Sequence, residues 1–194
     1  MIGNGAQYRE QAKFDETLPD YVREYSHEGI NDIIAKAKEG GFFVTYNHPV
    51  WSREDSDDFL GYEGMDAMEI CNYGCVVEGY DEYNPRVYDD MLRGGKRIYC
   101  IATDDNHNHG KIGTRRFDSF GGFTMIKADK LDYRTITAAL EAGNFYASQG
   151  PEIHALWFED GKLHIRCAPA DRIILTTGIR RCAMVWAEPG ETVT

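Results

Sequence analysis

Asp105 and His107 stand two residues apart near the end of the stretch 97–110, RIYCIATDDNHNHG. In an extended segment alternate side chains turn to the same side, so this carboxylate and imidazole converge. Such a pair suits a Zn, Mn or Fe ion; the plainer reading is a polar loop that carries a histidine. The apolar run 98–102 in front of it reads as a buried strand. In α/β folds the C-terminal ends of parallel strands open onto site-bearing loops.

Two more strand ends carry polar groups. FFVTY (42–46) runs into Asn47, His48 and Pro49, and the proline fixes His48 at a strand end. AMEIC (67–71) holds Glu69 and is followed by Asn72. Ligands for one cation must meet within a few ångströms, so these three strands must be parallel neighbours or near neighbours to serve one site.

The elements that would position them are legible. Ser26 caps a helix with Ile30, Ile33, Ile34 and Ala37 on one face, stopped by Gly40-Gly41. Residues 51–61 read as a loop whose acids, Glu54, Asp55, Asp57 and Asp58, are solvated. Asn84 and Pro85 open a helix ended by Gly94-Gly95. FTMIKA (123–128) is a strand, and Asp132 caps a helix closed by Gly143. The strands are apolar rather than alternating, as when both sheet faces are covered. Beyond Glu152 the segments are short and separated by turns, Asp160-Gly161 being a hairpin marker. The fold class expected is α/β, with an α/β body over 1–151 and a small antiparallel β-rich extension over 152–194. Trp157 and Trp186 read as core or seam residues of that extension. Residues 1–25 show little periodicity.

At 194 residues and 42% hydrophobic the chain can bury one good core. A net charge of −11 argues against nucleic acid as a partner. No apolar run approaches a membrane span and no secretory signal is visible. The five cysteines, 71, 75, 100, 167 and 182, read as reduced thiols of a cytoplasmic protein. Cys71 and Cys75 are too widely spaced for a C-x-x-C site, Cys100 reads as an inert buried thiol, and His154 and His164 as structural. No G-x-S-x-G elbow, G-x-G-x-x-G or Walker A sequence occurs. Between residues 162 and 182 the charge reverses: Lys162, Arg166, Arg172, Arg180 and Arg181 outnumber Asp171, as a charged edge or a phosphate-facing rim.

His48-Pro49, Asp66-Ala67-Met68-Glu69-Ile70-Cys71-Asn72 and Thr103-Asp104-Asp105-Asn106-His107, in this order, resemble the later motifs of the PHP family, the polymerase and histidinol phosphatase domain. AALEAGNFYASQGP (138–151) looks like the segment that follows the last metal motif in family members with a C-terminal β extension. The resemblance covers roughly residues 30–180. It implies a partial distorted (β/α)7 barrel with a divalent metal cluster at the strand ends, hydrolysing a small phosphorylated substrate with metal-activated water. His48, Asp105 and His107 would be metal ligands. Glu69 and Asn72 would support the site, and His109 would support it or face substrate unless it is a solvated loop histidine. No residue is singled out as catalytic.

The family's upstream motifs, an H-x-H pair, an Asp/His motif and a glutamate, have no match in the 47 residues before His48. His27 is the one histidine there and reads as a surface or cap residue. A single Zn, Mn or Fe ion and impaired hydrolysis are therefore expected. Two readings compete: a non-catalytic PHP remnant with a structural or assembly role, and an amidohydrolase-like metal hydrolase. An open sheet edge would need cover, which favours a homo-oligomer. No membrane partner is expected.

Overall fold

After the two-residue strand β1 (Ile2–Gly3), helix α1 (His27–Glu39) starts where the sequence predicts. Ser26 Oγ accepts from Gly29 N–H at 3.1 Å, and Gly41 ends the turn at φ 74°. This is a computed structural model describing residues 2–3 and 24–193; most of the lead-in expected over 1–25 lies outside them. The chain divides into two units, Met1–Ala147 and Ser148–Thr194.

The segment 42–46 forms two short strands rather than one. β2 (Phe42–Phe43) pairs antiparallel with β1, whereas β3 (Thr45–Tyr46) pairs parallel with β4 (Ala67–Asn72). Val44 is the switch. Its carbonyl accepts from Asp66 N–H at 2.8 Å and Ala67 N–H at 3.3 Å, and its own N–H donates to Asp66 Oδ2 at 2.7 Å.

Helices α2 (Pro49–Ser52) and α3 (Ser56–Gly61) precede β4; α4 (Tyr73–Glu78) and α5 (Pro85–Arg93) follow it. β5 (Tyr99–Thr103) pairs parallel with β4, giving a three-stranded parallel sheet in the order β3-β4-β5. Its two faces are both covered. Val44, Tyr46 and Met68 pack with Ile34, Phe59 and Met91 on one side, and Phe43 and Ala67 with Leu140 on the other. That accounts for the apolar, non-alternating strands.

The barrel is not there. The sheets among the described residues are small, separate and open. Before β3 the chain pairs antiparallel, β2 with β1, in a separate two-stranded sheet. Beyond β5, β6 (Phe123–Ile126) ladders with β7 (Phe145–Ser148), not with β5. Thr124 Oγ1 accepts from Ala102 N–H at 3.2 Å and donates to Ala102 O at 2.9 Å. A side-chain hydroxyl thus occupies backbone groups that a laddered neighbour would use. The architecture is a mixed α/β fold, and the partial (β/α)7 barrel expected from the resemblance is corrected. Helix α6 (Tyr133–Glu141) starts at Asp132, whose Oδ1 accepts from Thr135 N–H at 3.2 Å.

The acidic loop expected at 51–61 is in part helical. Asp55 accepts from Asp57 N–H at 2.8 Å, and Asp58 Oδ2 accepts in return from Asp55 N–H at 2.9 Å. Asp55 and Asp58 thus form a reciprocal cap at the start of α3, while Glu54 accepts from the Tyr62 hydroxyl at 3.0 Å.

The second unit consists of two antiparallel hairpins, β8 (Ile153–Glu159) with β9 (Lys162–Cys167) and β10 (Arg172–Leu175) with β11 (Ala183–Trp186). Asp160 and Gly161, both at positive φ, make the first turn. Trp157 and Trp186 are not core residues: they are 46% and 57% exposed. Trp157 stacks on His164 with centroids 4.9 Å apart, and the Arg172 guanidinium lies 5.2 Å from the Trp186 ring.

Candidate functional site

Parallel pairing of β3, β4 and β5 brings the three polar strand ends to one edge. A bulge between Glu69 and Cys71 sets what happens there. In a regular strand Glu69 and Asn72, three apart, would face opposite ways. The extra residue turns both to the same side, and Asn72 Nδ2 donates to Glu69 Oε2 at 3.0 Å and to Asp105 Oδ2 at 3.1 Å. Asn72 Oδ1 accepts from Cys75 N–H at 2.9 Å, capping α4.

Glu69 is a buried hub. Besides Asn72 it accepts from His48 N–H at 3.0 Å and from Thr103 Oγ1 at 2.6 Å. Burial pushes its carboxyl above the ordinary glutamate range, while the bonds from Thr103, Asn72 and His48 pull it back in part. Glu69 and Asn72 thus tie the His48 backbone and the Asp105 carboxylate into one hydrogen-bonded network.

His48 adopts the left-handed conformation, φ 36°, in front of α2. Its Nδ1 is 2.9 Å from Ser52 Oγ, and its ring meets Trp51 edge-on at 5.0 Å. Asp105 is also left-handed, φ 45°. That kink breaks the extended alternation on which the Asp105/His107 convergence rested. β5 ends at Thr103, and His107 bends back so that its Nδ1 lies 2.5 Å from Asp105 O. A carbonyl oxygen only accepts, so Nδ1 carries the proton. His107 stacks on His109 with centroids 5.2 Å apart, and His109 Nδ1 is 3.6 Å from Glu78 Oε1.

His48, Trp51, Glu78, Asp105, His107 and His109 line one cleft of about 330 Å³. Burial, and then Glu82, Asp105, Glu69 and Glu78, push the Cys75 thiol in the cleft wall up to about 12. Cys100, in β5, is likewise raised by burial, as befits an inert thiol.

Sharing a cleft is not sharing an ion. Among the described residues no group of three or more His, Cys, Asp or Glu side chains is arranged to hold a metal. The expected Zn, Mn or Fe ion on His48, Asp105 and His107 is therefore corrected, and with it metal-dependent phosphoester hydrolysis. The amidohydrolase-like alternative rests on the same metal and goes too. His27 packs edge-on against Tyr62 at 5.8 Å, as a cap-region residue.

The residues that organise the loops were not read from the sequence. Glu82 is fully buried and accepts from Val50 N–H at 3.1 Å, Trp51 N–H at 2.8 Å and Asn84 Nδ2 at 2.8 Å. It pins the start of α2, and only the bridge between Cys71 and Tyr83 brings it there. Asp118 accepts from His107 N–H at 2.8 Å and His109 N–H at 3.4 Å, which holds its carboxyl below the usual range. Asp104 accepts from Phe120, Gly121 and Gly122 N–H at 2.6, 2.9 and 3.0 Å. A Thr-Asp-Asp-Asn run is rich in side chains that bind nearby backbone; that signal was present and pointed to loop fastening.

Comparison with known proteins finds no family model, curated protein or solved structure that matches this chain. Among the described residues no helix is long and apolar enough to cross a membrane.

Proposed function

We propose that this chain is a non-catalytic relative of the PHP domain with a structural or assembly role. The observation that carries this is how the strand-end carboxylates are used. Glu69, Glu82, Asp104 and Asp118 each accept two or more hydrogen bonds from the chain itself. Hydrolysis by metal-activated water needs a group of donors that fixes the ions, and no group of three or more is arranged to hold one among the described residues. The five free thiols support a cytoplasmic location.

The assembly half draws on the hairpin β8-β9. Cross-strand pairs Leu156–Ile165 and Phe158–Leu163 share one face, with Phe158 72% exposed. An uncharged apolar patch is complementary to itself, so a two-fold contact with a second copy suits it. Sedimentation equilibrium of the full chain should give twice 22.0 kDa, and Phe158→Glu should give the monomer. A wild-type monomer at all concentrations would refute the assembly role. Phosphoester hydrolysis with added Mn²⁺ or Zn²⁺, abolished by Asp105→Ala, would refute the non-catalytic one.

A further inference from the structure

The second hairpin differs from the first in two respects. Cross-strand pairs Ile174–Met184 and Ile173–Val185 lie on opposite faces, so the ribbon is apolar on both sides. Met184, Val185 and Trp186 are all exposed, and at the connecting loop Ile179 is 67% exposed. The other difference is charge. Residues 172–187, RIILTTGIRRCAMVWA, contain Arg172, Arg180 and Arg181 and no acidic residue, in a chain of net charge −11.

We infer that the tip of hairpin β10-β11 docks on an anionic lipid bilayer, with Ile179 entering the interface and Arg180 and Arg181 against the headgroups. A two-stranded ribbon is marginal alone in water. Self-docking would set Arg172, Arg180 and Arg181 against their own copies. The loop suits the depth: Thr177 Oγ1 lies 2.7 Å from Arg181 O and 3.3 Å from Ile179 O, and accepts from Ile179 N–H at 3.4 Å. The Thr177 hydroxyl thus gives Arg181 O and Ile179 N–H a partner within the tip, where water is scarce.

The chain's overall negative charge does not forbid this contact. At physiological salt the screening length is about 8 Å, so a bilayer at the tip meets the local arginines. The inference departs from the sequence-based expectation of no membrane partner; an interfacial contact needs no spanning segment. This surface is not the β8-β9 face proposed for self-association.

The test is co-sedimentation of the full chain with vesicles of phosphatidylcholine alone or with roughly one-third phosphatidylserine. Partitioning should be about tenfold or more stronger on the anionic vesicles and should fall with added NaCl. Arg180→Ala with Arg181→Ala should weaken it about 30-fold, taking roughly fivefold per arginine. Ile179→Asp should remove it while leaving circular dichroism and the β8-β9 oligomer unchanged. Equal partitioning on both vesicle types, or binding indifferent to the arginines, would overturn the inference. So would the hairpin being occupied by a second copy, seen as self-association lost in Ile179→Asp but kept in Phe158→Glu.

Discussion

Asn72 Nδ2 lies 3.0 Å from Glu69 Oε2, although the two residues are three apart in one strand. The bulge between Glu69 and Cys71 makes this contact. It collects the ends of three strands into one network: Glu69 reaches Thr103 on β5 and His48 after β3, and Asn72 reaches Asp105.

Burial raises the Glu69 carboxyl, and this sets a pH dependence with a definite sign. A group whose folded pKa exceeds its unfolded one binds more protons in the folded state. Its contribution is fully present below the unfolded value and is lost as pH rises through the folded value. Wild-type stability should therefore fall, relative to Glu69→Gln, as pH rises through and above the ordinary glutamate range. Urea unfolding of both proteins across pH checks this. A wild type that gains on the variant with rising pH would mean that the bonds from Thr103, Asn72 and His48 outweigh burial.

Gly122 follows from the strap at Asp104. A Cβ there would stand 2.6 Å from Thr103 O, a backbone atom fixed in β5. Gly122→Ala should cost about 1–3 kcal/mol, the usual range for overpacking. Asp104→Ala frees the loop 120–122 from its three bonds, so the two substitutions together should cost less than their sum. Thermal or urea unfolding of the double-mutant set measures the coupling. Strict additivity would show that the loop does not relax.

The helices were legible wherever a cap and an apolar face coincided. Ser26 and Asp132 each mark a real start through a side-chain cap, a local interaction; at the third start Asn84 makes no cap bond with its side chain, which donates to Glu82, and Pro85 in the first turn marks the place. The parallel pairing of the three central strands was legible from their largely apolar, non-alternating runs, although only Thr45–Tyr46 of the run 42–46 joins the sheet. Barrel closure was not, because it depends on what occupies the sheet's outer bonds. The Thr124 hydroxyl on Ala102 leaves no trace in hydrophobic periodicity. The site was half legible. Sequence put His48, Asp105 and His107 at strand ends, and they do line one cleft. Spacing could not show the left-handed backbone at His48 and Asp105, and side-chain direction follows from that. Glu82 was illegible because its burial rests on a long-range bridge.

Asp118 should govern the order of the His107–His109 loop. Its carboxylate is held below the usual range by the N–H groups of His107 and His109. A depressed folded pKa means that the contribution is present above the unfolded value and lost as pH falls through the folded one. Asp118→Asn, which keeps the size but not the charge, should speed amide exchange at His107 and His109 near neutral pH. Strand β4 should be unaffected. Hydrogen exchange followed by NMR reads both, and unchanged protection at the two histidines would contradict the assignment.

Chelation separates a metal site from a hydrogen-bonded one by magnitude. An ion present at a hundredfold its Kd would contribute about 2.7 kcal/mol. For a chain of this size that is a fall in Tm of roughly 5–10 °C on adding EDTA. Without a three-donor group among the described residues, EDTA should leave Tm unchanged. Asp105→Ala removes the bond from Asn72 Nδ2, a loss of about 1 kcal/mol, or about 2–4 °C, with EDTA or without. His107→Ala gives up the contact of Nδ1 with Asp105 O and the stack on His109, both at the exposed rim, and should cost less. Differential scanning calorimetry of the three proteins, with and without chelator and after Mn²⁺ or Zn²⁺ is restored, makes the comparison. A chelator-sensitive Tm in wild type that Asp105→Ala renders insensitive would reinstate a bound ion at this cleft and overturn the hydrogen-bonded account.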